Sequence, residues 1–223
     1  MGVRVVHVHL VRHGQSTWNR EGRLQGQTIH PSLTALGRRQ AATAAATLSG
    51  RLDGPAILWS SDLVRAAMTA AVIGTRLGLP VHHDEALREQ SLGRFEGRLA
   101  RSLTPEPIPP GSHVAHMWWG GGESTADVYR RVGRFMTREL VHPATSATHV
   151  VVVSHGDTIR VARAWLLGRG HRDLESEEIP NGSVTSVSFE SLGPVTAKGE
   201  AVRWGACDNP GPKCARGPKR WEA

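Results

Sequence analysis

The chain has 223 residues and a formal charge of +7, from 27 basic against 20 acidic side chains, with two cysteines in all. A chain of that length buries a core without covalent staples, so a disulfide scaffold is excluded, and Cys207 and Cys214 are expected as reduced thiols of a cytoplasmic protein. The positive charge is scattered except between Lys213 and Arg220, and no finger, zipper or aromatic RNA-binding signature accompanies it, which weighs against nucleic acid as a partner.

The opening residues run straight into an apolar segment with no cleavage site behind it, so no signal peptide is expected. Val6 stands where a myristoylation signal needs Ser or Thr, and no run of about 18 apolar residues is present to span a bilayer. The first predicted element is a buried strand over Val5 to Val11, ending at Arg12-His13-Gly14. A loop to about Pro31 follows. Thr34 reads as the N-cap of a helix running to Leu48, and Ala56 to Trp59 as the second strand. Ser60-Ser61-Asp62 offers caps for a helix from Leu63 to Leu77, closed by Gly78 and Pro80, and Val81 to His83 is a third short strand.

From Glu85 the pattern turns irregular. Thr104 to Gly122 is rich in Pro and Gly and carries Trp118 and Trp119, too apolar for a linker, and reads as a lid inserted over about 98–122. A helix over Ser124 to Leu140, an apolar strand over Val150 to Val153, a helix from about Asp157 to Leu167 and a last strand over Val184 to Phe189 complete one domain, 1–192. Residues 193–223 form an irregular tail without periodicity. Strands alternating with helices predict the α/β class: a three-layer α/β/α domain with a largely parallel sheet, whose ligands collect at the carboxyl ends of strands.

Three such ends deliver unusual groups: Arg12-His13-Gly14 after the first strand, Arg65 one turn past the second, and His155-Gly156 after the fourth. A phosphoryl group needs fixed cationic donors for its oxygens, which Arg supplies as a planar fork, and Gly lets the backbone come close. An imidazole beside guanidinium groups stays neutral and nucleophilic, which favours His13 as the attacking group. Each residue alone has an ordinary alternative: a solvated arginine, a satisfied histidine, a helix cation.

The run Leu10-Val11-Arg12-His13-Gly14-Gln15-Ser16-Thr17-Trp18-Asn19 resembles the opening of the histidine phosphatase superfamily, the phosphoglycerate mutase-like fold. The similarity continues through Leu24-Gln25-Gly26, Leu33-Thr34-Ala35-Leu36-Gly37, Ser60-Ser61-Asp62-Leu63-Val64-Arg65-Ala66, Leu87-Arg88-Glu89, Glu96-Gly97, Gly121-Gly122-Glu123-Ser124 and Val153-Ser154-His155-Gly156. The resemblance implies that His13 takes the phosphoryl group and that Arg12, Arg65 and His155 bind its oxygens, with Asn19 at the same pocket. Glu89 would protonate the leaving alcohol and then activate water. Gln25 and Asn181 are further expected substrate contacts, although Asn181-Gly182 also suits a plain turn. Gln15 replaces a frequent Glu, and His30 stands where many relatives carry an acid.

The expected function is hydrolysis of a small phosphorylated metabolite, a sugar phosphate, phosphoglycerate derivative or biosynthetic intermediate, with a mutase or a non-catalytic phosphate-binding module as alternatives. Mutases of this family carry a longer insertion with Lys and Tyr, whereas Arg98 to Gly122 has neither. Arg98, Arg101 and His116 are candidates to meet an acid or second phosphate at the rim, and Trp118 and Trp119 to stack on a sugar or base. The histidine pairs lack carboxylates at ligand spacing, so no metal and no organic cofactor is expected. A homodimer is left open.

Overall fold

The computed structural model describes residues 3–104, 106–141 and 146–192. The tail from 193 onwards, with both cysteines and the basic stretch, lies outside the described residues. A five-stranded sheet is ordered β3-β2-β4-β1-β5. Its strands are β1 (Val3–Arg12), β2 (Ala56–Ser60), β3 (Val81–His83), β4 (His149–Ser154) and β5 (Val184–Leu192). β4 lies parallel to both β1 and β2, β3 is parallel to β2, and only β5 runs antiparallel, along β1.

Helices cover both faces: α2 (Ala35–Ser49) and α3 (Val64–Leu77) on one, α4 (Thr125–Met136) and α5 (Gly156–Leu166) on the other. The alternation of β1 divides its side chains between two cores. Val6, Val8 and Leu10 pack with Val132, Phe135 and Ile159, whereas Val11 joins Leu48, Leu58, Ala66, Ala70 and Ile73. All six residues of β4 are buried, as a central parallel strand covered on both sides requires. Each fully buried aliphatic side chain contributes about 1.5–3 kcal/mol.

Local chemistry sets the helix starts. Thr34 Oγ1 accepts from Gly37 N at 3.0 Å, and Ser124 with Asp127 forms a reciprocal capping box. The expected cap of α3 differs: Leu63 occupies that position, its N–H donating to Ser61 Oγ at 3.3 Å, while Asp62 turns away to pair with Arg88. Inside the expected loop lies a short helix α1 (Thr17–Glu21), started by a Ser16–Asn19 capping box; a single turn carries too little periodicity to be read from sequence. The helix expected to reach Leu140 is α-helical to Met136 and continues as a π turn over Thr137–Val141, where Thr137 Oγ1 donates to Gly133 O at 2.8 Å.

The insertion over 98–122 is built of single 3₁₀ turns at Ala100–Ser102, Val114–His116 and Trp119–Gly121. Its glycines serve close approach: a Cβ on Gly120, at φ +62°, would stand 2.3 Å from Leu92 O. Toward the amino end of β4, the α2/α3 side of the sheet turns polar. Asp53 Oδ1 meets His149 Nε2 at 2.7 Å, His149 Nδ1 meets His9 Nε2 at 3.0 Å, and His9 Nδ1 meets Ser186 Oγ at 2.8 Å. Among the described residues, no helix is long and apolar enough to cross a membrane.

Candidate active site

Because β2, β4 and β1 are parallel neighbours, their carboxyl ends open at one edge of the sheet. His13 follows β1 directly, His155 follows β4, and Arg65 stands in the first turn of α3 after β2. The rings of His13 and His155 lie 5.0 Å apart between centroids at 60°. Gly14 and Gly37 allow α2 to press against this edge, since a Cβ on Gly14 would come within 2.2 Å of Gly37 O.

His13 is buried, and its Nδ1 lies 2.7 Å from Gly14 O. A carbonyl only accepts, so Nδ1 carries the hydrogen and Nε2 keeps its lone pair. Burial first, and then the Arg65 and Arg12 charges, hold His13 well below the ordinary imidazole pKa, with the Gly14 bond opposing them. His155 is held down in the same direction by burial, by Arg65 and by His13. Its Nε2 meets Ser61 Oγ at 2.9 Å.

Arg65 is 0% exposed. Nη1 and Nη2 donate to the carbonyls of Thr28 at 2.9 Å and Gly26 at 2.7 Å, and burial pushes its pKa down to about 10, which leaves it charged at neutral pH. The same loop is held from below by Glu96, which accepts from Gln27 N at 3.0 Å, Thr28 Oγ1 at 2.9 Å and Leu92 N at 3.0 Å. Arg12 Nη1 donates to Ile179 O. Arg12 Nε, Arg65 Nε and His155 Nδ1 are buried without a hydrogen-bond partner among the described residues. Orphaned donors in a cluster are costly, and the oxygens of a bound phosphoryl group would satisfy them.

Glu89 sits at the amino end of α5, where Oε1 accepts from Gln90 N at 3.0 Å and from Thr158 N and Oγ1 at 3.2 Å each, and Oε2 from Asp157 N at 3.4 Å. Burial and the neighbouring Asp157 carboxylate push its pKa up; the Gln90 and Thr158 N–H groups and Arg65 oppose this without reversing it. Glu89 thus holds a proton more readily than an ordinary carboxyl. A Cβ added at Gly156 would lie 3.8 Å from Arg12 Nε and 3.9 Å from Glu89 Oε2, so both groups converge over the start of α5.

The remaining expected contacts serve the loops around His13. Asn19 Oδ1 accepts from Ser16 N at 3.0 Å within the capping box, and Gln25 Oε1 accepts from Ser16 Oγ at 2.7 Å. Asn181 Nδ2 donates to His13 O at 3.0 Å and to Asn19 Oδ1 at 3.3 Å, tying the 180–182 turn to the His13 loop. Two residues that sequence reasoning missed complete the frame. Arg131 Nη1 donates to the carbonyls of Ala86 and Arg88 and Nη2 to that of Glu89, while Nε and Nη2 hold Glu123. Arg160 ion-pairs with Asp157 beside Glu89. Neither stands out from the many arginines of the sequence. Of the rim candidates, Trp119 lines a cavity next to Gln90, whereas Trp118 is 62% exposed and donates to Asp127. His116 points instead to His171 and Arg172.

A buried imidazole with a lowered pKa, two guanidinium groups and a carboxyl with a raised pKa at the carboxyl edge of a parallel sheet are the groups that phosphoryl transfer uses. The sequence model of the histidine phosphatase superfamily (branch 1) matches residues 8–199, and the chain belongs to that superfamily. It is 38% identical over 178 residues to a glucosyl-3-phosphoglycerate phosphatase of Mycolicibacterium vanbaalenii, covering 74% of this chain and 76% of that one. It is 35% identical over 190 residues to a probable phosphoglycerate mutase GpmB of Yersinia enterocolitica, covering 83% and 86%. The solved structure of a mycobacterial glucosyl-3-phosphoglycerate phosphatase with VO3 superposes with a TM-score of 0.72 at 33% identity, over 82% of this chain and 93% of that one. The chain is a phosphatase-type hydrolase.

Proposed function

We propose that the protein is a metal-independent phosphomonoesterase that works through a phosphohistidine on His13. The observation that carries this reading is the Gly14 carbonyl on His13 Nδ1, which leaves Nε2 unprotonated in a pocket where burial, and then the Arg65 and Arg12 charges, keep it so. The phosphoryl oxygens dock against Arg12, Arg65 and His155. His13 Nε2 forms a bond to phosphorus as the bond to the alcohol oxygen breaks, and the Glu89 carboxyl gives its proton to that oxygen. Glu89, now a carboxylate, takes a proton from water; the water oxygen attacks phosphorus, the N–P bond breaks, and phosphate leaves with His13 neutral again. Two guanidinium groups supply the positive charge that the transferring group needs, which is the support for metal independence. The small-molecule ester is the expected partner and the cytoplasm the expected setting, the latter resting on cysteine usage.

The test is phosphate release from a panel of phosphomonoesters with chelator present, repeated with His13→Ala. The reading expects release from the native protein, unaffected by chelator, and a loss of at least about 10³-fold in the variant. Release that persists in His13→Ala, or that chelator abolishes, would sink it.

A further inference from the structure

A cavity of about 470 Å³ lies beside the phosphoryl pocket, lined by Gln90, which follows Glu89, and by Asp157, whose N–H faces Glu89 Oε2 at 3.4 Å. Asp157 thus connects the cavity wall to the Glu89 carboxyl, although Glu89 itself does not line the cavity. The volume falls in the range of about 300–1,000 Å³ that takes ring-sized ligands, so a three-carbon alcohol would leave most of it to water. Phe95 and Trp119 supply aromatic wall, and Leu24, Leu92 and Leu103 apolar wall. The charged lining is Glu106, Asp157 and Arg160, and Arg160 is already bound to Asp157. Glu106 pairs with Arg94, a side chain that is 64% exposed and not part of the wall. Neither Arg98, Arg101 nor His116, the cations expected at the rim, lines it.

We propose that this cavity selects an uncharged, hydroxyl-bearing ring, of the sugar or cyclic-polyol class, as the alcohol half of the substrate, and discriminates against alcohols that carry a second anion. The inference rests on the phosphomonoesterase reading above. Aromatic faces take the C–H face of such a ring. Carboxylates accept its hydroxyl hydrogens, and Gln90 and Arg160 donate to its oxygens. A carboxylate or second phosphate would instead meet two acidic side chains with a single cation, already engaged, to offset them.

Three esters separate size from charge: glucose 6-phosphate, glycerol 3-phosphate and 3-phosphoglycerate, each measured as kcat/KM beside p-nitrophenyl phosphate. The expected order falls by about ten-fold at each step, first for the lost ring and then for the added carboxylate. Glu106→Gln, which keeps an acceptor for the lid backbone, is expected to narrow the gap between glycerol 3-phosphate and 3-phosphoglycerate by roughly three- to five-fold. The proposal is overturned if 3-phosphoglycerate matches or exceeds glycerol 3-phosphate, if glycerol 3-phosphate matches glucose 6-phosphate, or if Glu106→Gln leaves the charge gap unmoved. Such an outcome with His13-dependent hydrolysis of p-nitrophenyl phosphate intact removes this proposal alone; loss of that hydrolysis removes the phosphomonoesterase reading beneath it as well.

Discussion

Arg131 Nη2 donates to the main-chain carbonyl of Glu89 at 3.0 Å, while its Nε holds Glu123 Oε1 at 2.9 Å. The segment that carries the Glu89 carboxyl is therefore anchored to α4. Lysine cannot reproduce a planar fork that reaches three carbonyls and a carboxylate together.

Arg131→Lys is therefore expected to lower stability by about 2–4 kcal/mol. It is also expected to slow hydrolysis of alkyl phosphates, whose leaving alcohol needs a proton, about ten-fold more than that of p-nitrophenyl phosphate, whose leaving group does not. A purely structural role would slow both equally. Denaturant melts and kcat/KM for the two ester types, which reports the step in which the alcohol leaves, make the comparison.

The pH dependence of kcat/KM expected of the proposed mechanism follows from its two shifted groups. His13 must be neutral to attack, and its pKa lies well below the ordinary imidazole value, so the acid limb falls below that value. Glu89 must be protonated to release the alcohol, and its pKa is raised, so the alkaline limb begins above the ordinary carboxyl value. Alkyl phosphates should therefore show an alkaline limb that p-nitrophenyl phosphate, whose leaving group needs no proton, lacks, and both should show the acid limb. An alkaline limb common to both esters belongs to another group.

Stability is expected to fall in acid through the histidine chain below the sheet. His9 is buried among His149, Arg51 and His7, and its pKa is lowered to about 4 from an ordinary 6.5. The unfolded chain thus binds the proton more readily than the folded one, and the stability held above pH 6.5 is lost as pH falls through 4. The size is about 3 kcal/mol for this group. His13 and His155 act in the same direction, so the measurement is a difference: His9→Gln should flatten the pH dependence of unfolding free energy by that amount relative to the parent chain.

Packing at the His13 loop gives a sharper contrast. Gly37 lies inside α2, where alanine ordinarily favours helix, yet a Cβ there would stand 2.1 Å from Gln15 O. Gly37→Ala is expected to destabilise by about 3 kcal/mol and to slow catalysis by moving the loop that carries His13 and Gln15. Gly50, at the end of the same helix, meets only Thr47 O at 3.8 Å, so Gly50→Ala should be near neutral. Thermal unfolding of the two variants tests the difference.

Much of this architecture was legible because it rests on local patterns. The apolar run ending at Arg12-His13-Gly14, the Thr34 cap and the all-apolar Val150 to Val153 each carry their own signal, and parallel strands then bring their carboxyl ends together. What was not legible depends on acceptors without side-chain identity. Arg131 and Arg65 are held by backbone carbonyls up to 45 positions away, and a carbonyl leaves no mark in the sequence. Trp118 and Trp119 are adjacent and alike, and only the lid's 3₁₀ turn decides that Trp119 faces the cavity while Trp118 faces outward.

The central claim is a covalent bond between His13 Nε2 and phosphorus. Glu89→Gln with p-nitrophenyl phosphate tests it directly, because the leaving group departs without the acid while hydrolysis of the intermediate is deprived of its base. Rapid mixing, followed by a neutral quench and mass spectrometry of the intact and digested protein, should show a burst of one p-nitrophenol per chain and one phosphoryl group on the peptide containing His13. A burst without phosphate on that peptide, or steady release with an unmodified protein that still depends on His13, would contradict the account.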